Sequence, residues 1–119
     1  MHILLAEEVE INATIAKRLF EKFGHQVTHV RTGAEVLQLH KSGQIPKVVF
    51  ISWNLEDMSG LEVAQKLRAD GTKEMSFIVL LTSRETKEDS LVAIRSGIDD
   101  YLAKPFGIRE LIARMRAVT

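Results

Sequence analysis

Glu7 and Glu8 are adjacent carboxylates placed directly after the apolar run His2-Ile3-Leu4-Leu5-Ala6. Two such acids repel unless a cation or a protonated amine lies between them, so they mark a small charged pocket suited to a hard divalent ion. Polar residues also follow three later apolar runs. Ser52 and Asn54 follow Lys47-Val48-Val49-Phe50-Ile51, Thr82 and Ser83 follow Phe77-Ile78-Val79-Leu80-Leu81, and Lys104 with Pro105 follows Tyr101-Leu102-Ala103. A serine near a lysine acts as a nucleophile and base pair only when the two lie about 3 Å apart and the lysine is neutral. Beside Glu7 and Glu8 the lysine is expected to stay protonated, which suits it to an electrostatic role. The stretch Ala6-Glu7-Glu8-Val9-Glu10 also repels phosphate where a phosphate-binding loop would need glycines and free N–H groups.

A framework must bring these scattered residues together. The run Gln26-Val27-Thr28-His29-Val30 alternates and suits an exposed edge strand, whereas the runs ending at Ile51 and Leu81 are almost continuously apolar, as strands covered on both faces should be. Helical spacing separates the five runs. Ile11, Ile15, Leu19 and Phe23 form one stripe closed by Gly24, and Leu61, Ala64 and Leu67 form another. Leu91 with Ile94 gives a third, Ile108, Leu111, Ile112 and Met115 a fourth, and Gly33 to Lys41 is the weakest helical segment. Five alternations of strand and helix predict an α/β fold: a doubly wound five-stranded parallel sheet of order 2-1-3-4-5, with helices on both faces. The polar residues then share the carboxyl edge of the sheet, where sites in such folds form.

The 119 residues fit a single domain, 1–119. Sixteen basic and sixteen acidic residues cancel, so neither direct nucleic-acid binding nor attraction to an anionic membrane is expected. The absence of cysteine excludes disulfides and thiolate metal sites. No apolar run approaches the ~20 residues that span a bilayer, and the N-terminus turns acidic too early for a signal peptide, so a cytoplasmic protein is expected.

The stretches Ile3-Leu4-Leu5-Ala6-Glu7-Glu8, Trp53 through Glu62, Leu81-Thr82-Ser83 and Asp99 through Phe106 together resemble the receiver domains of two-component response regulators, over essentially the whole chain. The resemblance implies a flavodoxin-like fold that takes a phosphoryl group from a histidine kinase onto an aspartate at the end of the third strand, using Mg²⁺. It assigns Glu7 and Glu8 to the acidic metal-binding pair and the carbonyl of Asn54 to a backbone metal ligand. Thr82 matches the hydroxyl that meets the phosphoryl group, Tyr101 the aromatic switch coupled to it, and Lys104 the amine that pairs with phosphoryl oxygens. The peptide before Pro105 would be cis.

Ser52 occupies the position of the phosphoaccepting aspartate. A carboxylate attacks phosphorus already ionised and gives an acyl phosphate, whereas a hydroxyl must lose a proton and would give a stable ester. Phosphotransfer to Ser52 is therefore not expected, and Mg²⁺ binding is expected to be weak or absent because a neutral hydroxyl replaces one acid. Glu8 either reaches into the space of the missing aspartate or pairs with Lys104. Asp57 is the substitute acceptor to consider, but it is expected to face solvent.

The expected role is that of a receiver-like signalling module, not an enzyme, acting by protein contact independently of phosphorylation. Its partners would be a histidine kinase or a covalently linked output domain beyond residue 119. Were Ser52 an introduced replacement for aspartate, the natural chain would be an ordinary Mg²⁺-dependent phosphoacceptor. A small flavodoxin-like enzyme or ligand binder using Glu7, Glu8, Ser52 and Lys104 is the rival from another class. Arg109, Arg114 and Arg116, with Glu88, Asp89, Asp99 and Asp100, form either an ordinary solvated surface or a homodimer face built on the fourth helix, fifth strand and fifth helix. His2, His25, His29 and His40 suit surface or edge positions better than a metal site.

Overall fold

The computed structural model describes residues 1–69, 76–82 and 97–103, with isolated positions at 95, 110, 113 and 116. Eight elements run β1 (His2–Ala6), α1 (Glu10–Lys22), β2 (Gln26–Val30), α2 (Gly33–Lys41), β3 (Val48–Ser52), α3 (Gly60–Ala69), β4 (Phe77–Thr82) and β5 (Asp100–Ala103). The strands form one parallel sheet in the order β2-β1-β3-β4-β5, as the alternation of runs and helices predicts. Leu91, Ile94 and the stripe from Ile108 to Met115, expected to form two more helices, lie outside the described residues. Among the described residues, no helix is long and apolar enough to cross a membrane.

Burial explains which runs became central strands. β3 is buried at all five positions and β1 at four of five, whereas β2 is only partly covered, as an edge strand that alternates should be. Alternate side chains of the sheet feed two cores. On one face Leu4, Ala6, Val49, Ile51, Ile78 and Leu80 meet Val36 of α2 and Val63, Ala64 and Leu67 of α3. On the other face Ile3, Leu5, Val48, Phe50, Val79 and Leu81 meet α1.

The inward face of α1 departs from the expected stripe. Ala13, Ala16 and Phe20 are its buried residues, Leu19 is half-buried, and Ile11, Ile15 and Phe23 are exposed. Spacing by three and four residues is equally helical for Ala13, Ala16 and Phe20. The two alanines let the helix approach the sheet closely, and Phe20 packs on Phe50 with ring centroids 4.8 Å apart at 57°.

Local chemistry fixes the helix starts. Thr32 caps α2, its hydroxyl accepting the Glu35 N–H at 3.2 Å and donating to the Glu35 carboxylate at 2.9 Å. Ser59 caps α3 by accepting the Glu62 N–H at 3.1 Å. At the amino edge of the sheet, Arg68 donates from α3 to the carbonyls of Gly97 and Ser76 and to the Asp99 carboxylate. Asp99 in turn accepts the Ile78 N–H at 2.7 Å, so one guanidinium ties α3 to the starts of β4 and β5.

Candidate functional site at the carboxyl edge of the sheet

Two of the expected edge residues lie inside strands instead of after them. Ser52 is the last residue of β3, paired with Leu81, and Thr82 is the last of β4, paired with Ala103. Both are buried, Ser52 at 4% exposure and Thr82 at 3%. Glu7 follows β1 at 1% exposure, one register step beyond the Ala6–Ile51 pair, which sets it level with Ser52 on the neighbouring strand. Strand alternation then turns Glu7 and Ser52 toward the α1 side, in line with Leu5 and Phe50. A buried acid and a buried hydroxyl therefore sit on adjacent strand ends. Glu8 is half-buried and Asn54 exposed.

Tyr101 lies in β5, opposite Leu80 of β4 and two register steps from Thr82. Paired residues of parallel strands share a face, so Thr82 and Tyr101 emerge on the same side of the sheet. Thr82 is covered and Tyr101 is 36% exposed, a gradient from the strand end to the outer strand. Lys104, Ser83 and Pro105 lie outside the described residues.

The β1 end is fixed by contacts that spacing does not reveal. The Glu7 N–H donates to the Val30 carbonyl at 3.0 Å, and the Glu7 carboxylate accepts the Val9 N–H at 3.3 Å. His29 lies in the edge strand β2, within the surface or edge positions expected, and its Nε2–H donates to the Glu7 carbonyl at 2.8 Å. β2 ends at Val30, so a side chain of β2 supplies a bond to β1 one step past the end of the regular ladder.

The loop from Trp53 to Gly60 folds back on β3. The Trp53 N–H continues the ladder to the Leu81 carbonyl, the Gly60 N–H returns to the Trp53 carbonyl at 2.7 Å, and Asn54 bridges Ser59. Trp53 itself is buried in the core beneath α2 and α3. Asp57, at the loop tip, is exposed as expected, but its carboxylate is occupied. One oxygen accepts the Gly33 N–H at 2.8 Å and the other the Ala34 N–H at 2.9 Å, at the amino end of α2. The Gly33 hydrogen bond is the main cause holding its pKa below the ordinary value of 3.8; burial opposes it, and the Ala34 bond and local N–H groups add to it. Asp57 is thus a helix cap, and both oxygens are turned to α2.

Mg²⁺ is commonly held by one or two carboxylates in near-octahedral oxygen ligation; of the two acids after β1, Glu7 is buried and Glu8 half-buried, and Ser52 offers a neutral hydroxyl beside them. Among the described residues, no three His, Cys, Asp or Glu side chains are grouped so as to hold a metal ion.

The family model for the response regulator receiver domain matches residues 3–116. The chain is 36% identical over 116 residues to the uncharacterized transcriptional regulatory protein YkoG of Bacillus subtilis, covering 98% of this chain and 50% of that protein. It is 34% identical over 115 residues to the aerobic respiration control protein ArcA of Escherichia coli K12, covering 97% and 47%. The chain spans about half the length of these relatives. The receiver domain of the Francisella response regulator 1452 superposes with a TM-score of 0.87 at 29% identity, over 98% of this chain and 94% of that one. A two-component response regulator from Clostridium difficile superposes equally well, with a TM-score of 0.87 at 26% identity over 99% and 94%.

Proposed function

The chain belongs to the response regulator receiver domain family, and on that premise we propose that it is a phosphorylation-independent signalling module in which Ser52 takes the place of the phosphoaccepting aspartate. The observation that carries this reading is the position of Ser52 as the last residue of β3, level with the buried acid Glu7 on the carboxyl edge. At that position a hydroxyl cannot form the acyl phosphate that a carboxylate would. Mg²⁺ binding is weak or absent in this reading, because one hard anionic ligand is lost.

In this reading Thr82 and Tyr101 keep the switch roles that the family resemblance assigns to them. Thr82 and Tyr101 emerge on one face of adjacent strands, so a displacement of the hydroxyl has a short route to an exposed aromatic. Without a phosphoryl group, only a partner that binds one arrangement better than the other can shift their equilibrium. Such a partner is a histidine kinase, or an output domain in a longer chain. The second is supported by YkoG, a transcriptional regulatory protein of twice the matched length. The β5 side, where Tyr101 is exposed, is the proposed contact for that partner.

The test is to add Mg²⁺ and beryllofluoride to the parent and to Ser52→Asp, and to follow the fluorescence of Trp53, which directly follows residue 52. A response from Ser52→Asp alone is expected. An equal response from the parent would overturn the proposal.

A further inference from the structure

Met58 stands between Asp57, which caps α2, and Ser59, which caps α3. Its side chain fills the space over the α-carbon of Gly33, the first residue of α2. A Cβ added at Gly33 would stand 2.6 Å from Met58 Cγ, 2.8 Å from its Sδ and 2.7 Å from Val63 Cγ2 of α3. The thioether is therefore wedged where α2, α3 and the loop after residue 52 meet, against the core beneath the two helices. Met58 is half-buried, so a small solute can reach it from the loop side.

We propose that Met58 is a site of reversible oxidation by hydrogen peroxide, and that its sulfoxide unfastens the loop from α2. In the step, a lone pair of Sδ attacks one peroxide oxygen and the S–O bond forms as the O–O bond breaks. The proton on the transferred oxygen passes to the departing hydroxide, which leaves as water; the sulphur is oxidised and peroxide reduced.

The consequence follows from the polarity of the product. A sulfoxide oxygen is a hydrogen-bond acceptor, and burying it without a donor is unfavourable. The N–H groups of Gly33 and Ala34 that border the notch are already held by the Asp57 carboxylate, at 2.8 and 2.9 Å. Val63 offers only carbon. The oxidised side chain therefore turns out to water and draws on both of its neighbours, the two caps. Other ties on the loop resist this weakly. The Leu55 N–H reaches the Met58 carbonyl at 3.3 Å, a long bond, and the Arg31–Glu56 ion pair is exposed. This input acts on the loop after β3 whatever residue stands at position 52.

The whole chain is treated with hydrogen peroxide and read by peptide mass and by backbone amide resonances. Met58 is expected to gain one oxygen at a rate within about tenfold of that of Met1, which is 42% exposed. In the sulfoxide the Gly33 and Ala34 amides should shift and exchange their hydrogens about tenfold faster or more, as the Asp57 cap is lost. Methionine sulfoxide reductases should restore both. Met58→Leu keeps the volume and has no sulphur at residue 58, so peroxide should leave its Gly33 and Ala34 amides in place. That variant separates Met58 from oxidation at Met1, Met75 and Met115. A Met58 that oxidises only when the chain is unfolded in urea overturns the proposal. So do Gly33 and Ala34 amides that keep their positions in the sulfoxide, that fail to recover with the reductases, or that move as far in peroxide-treated Met58→Leu.

Discussion

Gly60 lies against the carbonyl of Ser52 so closely that a Cβ at residue 60 would overlap the Ser52 carbonyl oxygen and stand 3.2 Å from its carbon. Ile51 Cγ1 would be 3.3 Å away on the other side. Gly60 has no positive φ, so the requirement is space and not conformation. The first residue of α3 and the last of β3 are in backbone contact, and the Gly60 N–H also bonds the Trp53 carbonyl at 2.7 Å. The helix after the loop therefore sets the height of the strand end that presents residue 52.

Gly60→Ala is expected to be destabilising by about 1–3 kcal/mol, because the atoms that must move are backbone in a filled core. A urea melt reads this as a lowered midpoint with unchanged slope. In a Ser52→Asp background the same change should also diminish the Trp53 response to beryllofluoride. An unaltered melt would show that the loop can shift freely, and that Gly60 does not fix the Ser52 end.

Asp57 contributes to stability as a cap supplied from another loop. Its folded pKa lies below 3.8, so the contribution is present in full above that pH and is lost as pH falls through the lower folded value. Asp57→Asn, which has no carboxylate to titrate, should cost about 0.5–1 kcal/mol at pH 7, the low end of capping effects because the group is exposed and screened. The difference between variant and parent should narrow below pH 3.8 as the parent's carboxyl becomes protonated. Melts at pH 7 and pH 3 compare the two; a constant difference would mean that the charge on Asp57 is immaterial.

The sheet was legible because its signal is local. Val48 through Ile51 and Ile78 through Leu81 are apolar at every position, which only a strand covered on both faces requires, and β2 is bounded as its alternation indicates. The inward face of α1 is not the bulky stripe that periodicity picks out. Ile11 and Ile15 outweigh Ala13 and Ala16 in such a pattern, yet the sheet selects small residues where the helix must come close. The edge residues Glu7, Ser52 and Thr82 were legible as chemistry placed after strands, though Ser52 and Thr82 prove to be strand residues. The ties that hold the edge were not legible. Asp57 meets Gly33 across 24 residues and His29 meets Glu7 across 22, distances at which only the folded chain makes neighbours.

The His29 contact yields the last prediction. The Glu7 carbonyl stands where β2 turns away from β1, and the His29 Nε2–H is the donor that reaches it. A carbonyl left without a donor in a partly buried place costs more than the net gain of an ordinary hydrogen bond, because water replaces the donor poorly. His29→Phe keeps a planar ring but removes the donor, and is expected to cost about 1–2 kcal/mol. His29→Gln keeps an N–H and should recover much of that loss. A purely packing role for the ring predicts the reverse order, with Phe tolerated and Gln damaging. Backbone amide resonances add a second readout: those of Glu7, Glu8 and Val9 should move in His29→Phe and stay near their parent positions in His29→Gln. If both variants melt like the parent and leave these resonances in place, His29 does not position the acidic end of β1.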